Sequence, residues 1–169
     1  MPTPDPEVAN RVSRLPNIFR NDTAAYRLLL PGDWRRSDLR SKTFAAGSQV
    51  VARDIYTTRS PDEEVRLAAS GEALPWEMVV ELWEARGADL TGWALAHESH
   101  PGQRLEKVEL RSGSAIRKIW ADGLRAAYYI ARGEMILVIS YTTTADSAAA
   151  PARVTRSVLD QAIRDIGLP

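Results

Sequence analysis

The fold of this chain is decided by residues 104–144, RLEKVELRSGSAIRKIWADGLRAAYYIARGEMILVISYTTT. Apolar and polar residues alternate there in short runs, which is typical of strands in a sheet. Turn-forming pairs separate the runs at Ser112-Gly113, Asp122-Gly123 and Arg132-Gly133. The stretch therefore predicts an antiparallel meander, with strands near 104–111, 114–121, 124–131 and 134–144.

A helix is predicted directly after this meander. Apolar residues between Val154 and Ile166 recur at helical spacing, and Gly167 follows the last of them. We expect this helix to cover one face of the sheet. The continuously apolar run from Met135 to Ile139 predicts a central strand that is covered on both faces.

Two further strands are predicted in the first third of the chain. Residues 25–30 are mostly apolar, and the pair Pro31-Gly32 ends that strand in a turn. Residues 49–58 are rich in β-branched side chains, which favour strands. A third strand is predicted over residues 93–97.

Two helices are predicted between these strands. Ser60 and Glu63 fit a capping box around Pro61, so a short helix is expected to about residue 69. A longer helix is predicted from Pro75 to Gly87, because one apolar stripe combines four residues at helical spacing. These residues are Met78, Val79, Leu82 and Trp83.

The elements combine into one α+β domain over residues 17–169, a twisted antiparallel sheet sandwiched by helices. An N-terminal arm or short helix precedes it at residues 1–16, where Val8, Val12 and Leu15 fall at helical spacing. The chain shows no internal repeat and no coiled coil.

Composition narrows the class of protein. Basic and acidic residues balance at 22 each, whereas nucleic-acid-binding proteins usually carry a basic excess. The absence of cysteine excludes disulfides and thiolate metal sites. No apolar run is long enough to cross a bilayer. The first residues lack the pattern of a signal peptide, so a cytoplasmic location is expected, although an exported chain whose signal has been removed would look the same.

The order of elements resembles the Mog1/PsbP-like fold family over residues 17–167. The likeness rests on Phe19, on Tyr26-Arg-Leu, on Leu30-Pro-Gly-Asp-Trp34, on the helix carrying Trp83 and on residues 154–166. Proteins of this fold are mostly non-catalytic: a Ran-binding protein, photosystem extrinsic subunits, bacterial lipoproteins and secretion-effector chaperones. The resemblance therefore implies an α/β/α sandwich with a binding role, and it brings no catalytic motif.

No catalytic or cofactor motif is present in the sequence. His97-Glu-Ser-His100 has the wrong spacing for a helical zinc site, and a strand end there would point the two imidazoles in opposite directions. We therefore expect two solvated surface histidines, no bound metal and no cofactor. Glycine-rich phosphate loops and the serine hydrolase elbow are also missing.

Aromatic residues beside arginines are the candidate binding residues, because interface anchors are often of these types. For the aromatics themselves plain core packing is favoured over an anchor role. For the protein, the prediction is a non-enzymatic adaptor or accessory domain that contacts a protein partner. The candidate residues are Trp34, Arg35, Arg36, Trp93 and Tyr129.

The alternative hypothesis is a small-molecule-binding or enzymatic domain. A pocket between the sheet and the central helix would be lined by Trp83, Trp120 and Tyr128. An enclosed pocket of several hundred Å³ with convergent polar groups would favour this hypothesis. A closed, flat seam between helix and sheet would favour the adaptor.

Overall fold

A computed structural model describes residues 16–37, 42–43, 49–70, 77–143 and 155–169. The predicted N-terminal arm and the start of the closing helix at Val154 lie outside the described residues. The strands are β1 (Asn17–Asn21), β2 (Tyr26–Leu30), β3 (Arg35–Arg36), β4 (Lys42–Thr43), β5 (Val50–Thr57), β6 (Glu77–Glu84), β7 (Arg104–Leu110), β8 (Gly113–Ile119), β9 (Arg125–Arg132) and β10 (Met135–Thr142). The helices are α1 (Pro61–Ser70), α2 (Leu90–Ala96) and α3 (Arg156–Arg164).

An eight-stranded sheet forms the centre of the molecule. Its strand order is β3-β5-β6-β10-β9-β8-β7, with β4 added beside β5, and every pairing is antiparallel. The strands from β7 to β10 pair in chain order, so the predicted meander is confirmed. Val138 of β10 lies opposite Tyr129 of β9, and Tyr129 lies opposite Ile116 of β8.

Helices cover both faces of this sheet. On the first face, α3 and the β1–β2 hairpin bury a core that includes Leu28, Leu159 and Ile163. On the second face, α2 packs against a smaller core that includes Ala94 and Val138. Because β10 lies between these layers, its residues from Ile136 to Tyr141 are buried whichever face they point to. The predicted α+β sandwich and its doubly covered central strand are both confirmed.

The helix predicted from Pro75 is wrong, because residues 77–84 form strand β6 between β5 and β10. Met78, Val80 and Leu82 are buried in the first core, while Trp83 packs against the second. A strand that is covered on both faces has apolar residues at positions of either parity. Here that pattern happened to coincide with a helical stripe.

The strand predicted over residues 93–97 is also wrong, because Leu90–Ala96 form helix α2. The carboxylate of Asp89 accepts a hydrogen bond from the Gly92 N–H at 2.8 Å and caps the first turn. The helix was missed because it is short and contains Gly92, a residue that lowers helix propensity.

A buried carboxylate fastens the β1–β2 hairpin to the sheet. Asp54 of β5 accepts hydrogen bonds from Tyr26 Oη and Asn21 Nδ2, both at 2.5 Å. Tyr26 also shares a hydrogen bond with Tyr56 Oη. The predicted strands at 25–30 and 49–58 and the predicted helix from Pro61 are confirmed by β2, β5 and α1.

Candidate functional site

Two of the predicted binding residues are buried in the cores. The Trp34 side chain is 1% exposed, because the Trp34 N–H bonds to the Pro31 carbonyl and the turn brings the indole back onto the sheet. Tyr129 is covered by α2 on the second face and is fully buried. The expectation that these rings are exposed anchors is therefore corrected in favour of core packing.

The two arginines that follow Trp34 pair with buried carboxylates of the chain. Arg35 Nη2 lies 2.5 Å from Glu64 Oε2 of α1, and Glu64 is fully buried. Arg36 Nη1 lies 3.8 Å from Asp54 Oδ1. These contacts join β3 to α1 and β5. Removing either arginine would take a counter-charge from a buried carboxylate, which costs free energy of folding.

The alternative pocket residues do not line one cavity. Trp83 and Trp120 pack on the α2 face of the sheet, whereas Tyr128 is buried on the opposite face. There Tyr128 Oη donates to Asp160 Oδ1 of α3 at 2.6 Å. The predicted pocket is therefore wrong in this form, because neighbouring strand residues point to opposite faces and the central helix that was to close it is a strand.

The second face carries an aromatic cluster, made of Trp83, Trp93, His97 and Tyr129. The imidazole of His97 stacks on the Trp93 indole, with ring centroids 4.8 Å apart and planes 12° apart. Trp83 meets both of these rings edge-on, at 5.7 Å from Trp93 and 5.2 Å from His97. Tyr129 closes the inner side of the cluster. The fold thus brings together two residues of the predicted binding set, Trp93 and Tyr129, and one of the predicted pocket set, Trp83.

Both histidines are packed against aromatic rings, so the expectation of two solvated histidines is wrong. The imidazole of His100 stacks on Trp120 at 4.4 Å, and the guanidinium of Arg125 lies 4.4 Å from the centre of the same indole. His97 Nδ1 lies 3.1 Å from Tyr129 Oη, which fixes the orientation of its ring. The two histidines hold the segment after α2 against the sheet.

A fully buried lysine lies beneath this segment. Lys118 donates from Nζ to the His97 carbonyl, at the C-terminal end of α2. The ammonium lies 5.2 Å from the Tyr129 ring centre and 5.5 Å from that of Trp120, so it is surrounded by aromatic faces. Burial lowers the pKa of Lys118, and the neighbouring carboxylate of Glu98 acts against this.

Burial also controls the charge of His97. The pKa of His97 lies below its ordinary value of 6.5, mainly because burial disfavours the imidazolium. The carboxylates of Glu98 and Glu81 oppose this shift. The imidazole is therefore neutral at pH 7.

A groove of about 260 Å³ opens beside the aromatic cluster. Glu84 borders the groove at the end of β6, and its cross-strand neighbour Met135 packs against the first core, so the Glu84 side chain points to the opposite face of the sheet. On the neighbouring helix, Leu95 is 46% exposed. Within the described ranges no three acidic or histidine side chains converge on a point that could hold a metal ion. The groove is lined by Gln49, Trp83, Glu84, Trp93, Ala96 and His97.

Sequence reasoning missed the strand ends that border this groove. Gln49 and Glu84 meet there because the Glu84 N–H bonds to the Gln49 carbonyl at 2.7 Å, a pairing that depends on β6 being a strand. One signal was available for the aromatic part. Trp93 and His97 are four residues apart, which is the spacing that stacks two side chains on one helix face.

The fold resembles those of two solved proteins. The cyanobacterial PsbP (CyanoP) of Synechocystis matches with a TM-score of 0.54 and 11% identity, over 92% of this chain and 94% of that one. The Saccharomyces cerevisiae Ran-binding protein Mog1p matches with a TM-score of 0.51 and 13% identity, over 92% and 96%. The predicted Mog1/PsbP-like fold is thereby confirmed.

Sequence comparisons give no closer relationship: no family model matches the chain, and neither does any curated protein. In the part of the chain that the structure describes, no helix is both long and apolar enough to span a membrane.

Proposed function

We propose that this protein is a non-enzymatic accessory or adaptor domain that binds a partner protein through the outer surface of α2. This surface consists of Trp93, Leu95 and the groove beside the aromatic cluster. Arg35 and Arg36, which the sequence also suggested, are left out because both pair with carboxylates of the chain.

An exposed apolar residue and a partly covered tryptophan on the same short helix carry the proposal. Leu95 presents its side chain to solvent on α2, and the half-buried Trp93 of the same helix lines the groove. Residues that dominate binding energy are often tryptophans in well-packed surroundings at the centre of an interface. The aromatic cluster supplies such surroundings, because it holds the Trp93 indole in a fixed position before any partner arrives.

The size of the groove favours a protein partner over a small molecule. Sites for drug-sized ligands usually enclose about 300–1,000 Å³. A groove of about 260 Å³ falls below that range and suits a single inserted side chain. Mog1p, named as a Ran-binding protein, is an example of this fold in protein binding. The cytoplasmic location stays a prediction of the sequence.

The test is a pull-down from native lysate with two matched substitutions. Leu95→Asp places a charge on the proposed surface, and Val65→Asp places the same charge on α1 at a valine that is 53% exposed. Both variants should melt close to the wild-type temperature, because neither residue is in a core. We expect Leu95→Asp to lose a partner band that wild type and Val65→Asp both retain.

The opposite results are equally clear. Equal capture by all three proteins would remove the α2 surface from the proposal. If wild type captures no protein but its melting temperature rises with a member of a metabolite panel, the small-molecule hypothesis replaces the adaptor.

A further inference from the structure

A second groove, of about 350 Å³, opens on the β1–β2 hairpin. Arg20 of β1 lies opposite Arg27 of β2, and Arg27 lies opposite Gly167, so these three residues form one row across the hairpin and line the groove. Cross-strand partners project to the same face of a sheet. That face is the outer one, because Tyr26 beside Arg27 turns inward and bonds to Asp54.

Gly167 leaves this hairpin groove open beside Arg27. The two backbones are held together, since the Arg27 N–H bonds to the Gly167 carbonyl and the Gly167 N–H to the Arg27 carbonyl, both at 2.8 Å. A Cβ atom at position 167 would lie 3.3 Å from Arg27 Cβ, closer than ordinary van der Waals contact. Glycine therefore lets the segment after α3 lie against β2 without filling the space over the row.

The two arginines of the row repel each other. In the eight-stranded sheet, by contrast, Arg53 lies opposite Glu81 and Arg117 opposite Glu106, and both form ion pairs. Like charges directly opposite destabilise a pair of strands. The two hairpin arginines are exposed and have no ion-pair partner among the described residues. An anionic ligand would relieve their repulsion.

Other polar groups at this end of the hairpin already have partners within the chain. Arg132 donates to the Ala24 and Ala25 carbonyls, and Asn21 uses both ends of its side-chain amide. Among the described residues that line the groove, the exposed Asp22 supplies the one carboxylate. Positive charge therefore exceeds negative charge in the hairpin groove.

We propose that the hairpin groove binds a phosphate monoester between the guanidinium groups of Arg20 and Arg27. A phosphate monoester carries about −1.5 to −2 charge at pH 7 and has three acceptor oxygens, so it can pair with both cations at once. Guanidinium groups bind such oxyanions bidentately. A carboxylate brings one charge and would neutralise only one arginine. The inference goes beyond the proposed function and does not depend on it, because the hairpin and α2 cover opposite faces of the sheet.

The first test uses glycerol phosphate, titrated into the full chain at constant ionic strength and followed by backbone amide signals in NMR. We expect saturable shifts at Arg27 and Gly167, while Gly92 of α2 stays in place. Dimethyl phosphate, which has one charge, and acetate should both bind at least about threefold more weakly.

A blocked glycine pentapeptide with a central phosphoserine distinguishes two sources of the phosphate group. Tighter binding of this peptide than of glycerol phosphate would assign the groove to phosphorylated protein segments. Tighter binding of glycerol phosphate would assign it to small phosphate esters. Either result supports the inference.

Matched variants test the roles of the two arginines. Arg20→Gln and Arg27→Gln should each weaken binding of glycerol phosphate about two- to fivefold, as expected for a partly exposed ion pair, and the double variant should show no saturable shift. Arg66→Gln removes the same charge at an exposed position on α1 and should leave the affinity unchanged. Asp22→Asn should strengthen binding, because it removes the carboxylate beside the row.

The same amide spectra show whether each variant is folded. An unchanged affinity of the double variant, an equal loss in Arg66→Gln, or equal binding of dimethyl phosphate and glycerol phosphate would overturn the inference. Weaker binding by Asp22→Asn would also overturn it, because the groove would then not favour negative charge.

Discussion

Tyr128 and Asp160 join the sheet to its closing helix through a hydrogen bond of 2.6 Å between Tyr128 Oη and Asp160 Oδ1. Tyr141 donates to the same oxygen at 2.8 Å, and Arg117 Nη2 lies 3.4 Å from the other one. Burial and the Asp160 carboxylate raise the pKa of Tyr128 and of Tyr141, so both phenols remain donors over the accessible pH range.

The first prediction follows from this network. Asp160→Ala should lower the free energy of unfolding by about 2–6 kcal/mol, because two buried phenols lose their acceptor and each unpaired buried donor costs about 1–3 kcal/mol. Arg117 keeps its second ion pair, with Glu106 at 3.3 Å. Asp160→Asn should cost less, since one acceptor oxygen remains. Denaturant unfolding measures both, and the exposed Gln161→Ala serves as a neighbour that should change little. A small loss in Asp160→Ala, equal to that control, would contradict the assignment.

The second prediction concerns the apolar face of α3. Leu159 and Ile163 are both fully buried against the sheet, so replacing either with alanine should cost about 2–5 kcal/mol. That is a large part of the stability of an ordinary domain, about 5–15 kcal/mol. The control is Ser157→Ala, at an exposed position on the same helix. The neighbouring Arg156 is unsuitable as a control, because it donates a hydrogen bond to the Gly123 carbonyl. Similar unfolding midpoints for all three variants would mean that α3 does not close the core.

The third prediction is a pH dependence that comes from His97. Its pKa is lower in the folded chain than the ordinary value of 6.5, so the unfolded chain binds more protons as the pH falls below that value. The contribution of His97 to stability is therefore complete above about pH 6.5 and is lost towards its lower folded pKa. His97→Gln should reduce the slope of unfolding free energy against pH in this acidic window. Parallel slopes for the two proteins would contradict the burial of a neutral imidazole.

The fourth prediction concerns backbone strain in the turn between β1 and β2. Ala25 has φ 51°, a left-handed conformation that costs a residue with a Cβ about 1–2 kcal/mol. Ala25→Gly should therefore raise the unfolding midpoint, because glycine adopts this conformation without the steric cost. The neighbouring Ala24→Gly should lower it, since Ala24 belongs to the core. If both glycines destabilise the protein, the turn does not have this conformation.

The predictable parts of the fold were those in which one local signal acts alone. The strands from β7 to β10 have alternating apolar and polar residues and are separated by glycine-containing turns, and α1 begins at a capping box. The spacing of these residues was enough to predict both. In β6, burial on both faces produced apolar residues at Met78, Val79, Leu82 and Trp83 that also fit a helix. Residues 77–84 form a strand and not a helix because they pair with β5 and β10. Both partners are distant in sequence, so a short window of sequence does not reveal this pairing.

The candidate site was less predictable for the same reason. Trp93 was identified as a binding residue, but its neighbours in the groove come from β6 and from the residue before β5. Tyr128 and Tyr129 point to opposite faces of β9, and both are buried because a separate layer covers each face. Which aromatic remains partly open depends on how far a seven-residue helix extends over the sheet.

Site-specific photo-crosslinking in the native host tests most directly whether the α2 surface binds a partner protein. A photoreactive phenylalanine analogue replaces Leu95 in one protein and Val65, the exposed residue on α1, in the other. We predict a discrete adduct of higher mass from position 95, absent from position 65 and strongly reduced when Trp93→Ala is added. No adduct from position 95, or the same adducts from both positions, would contradict the account.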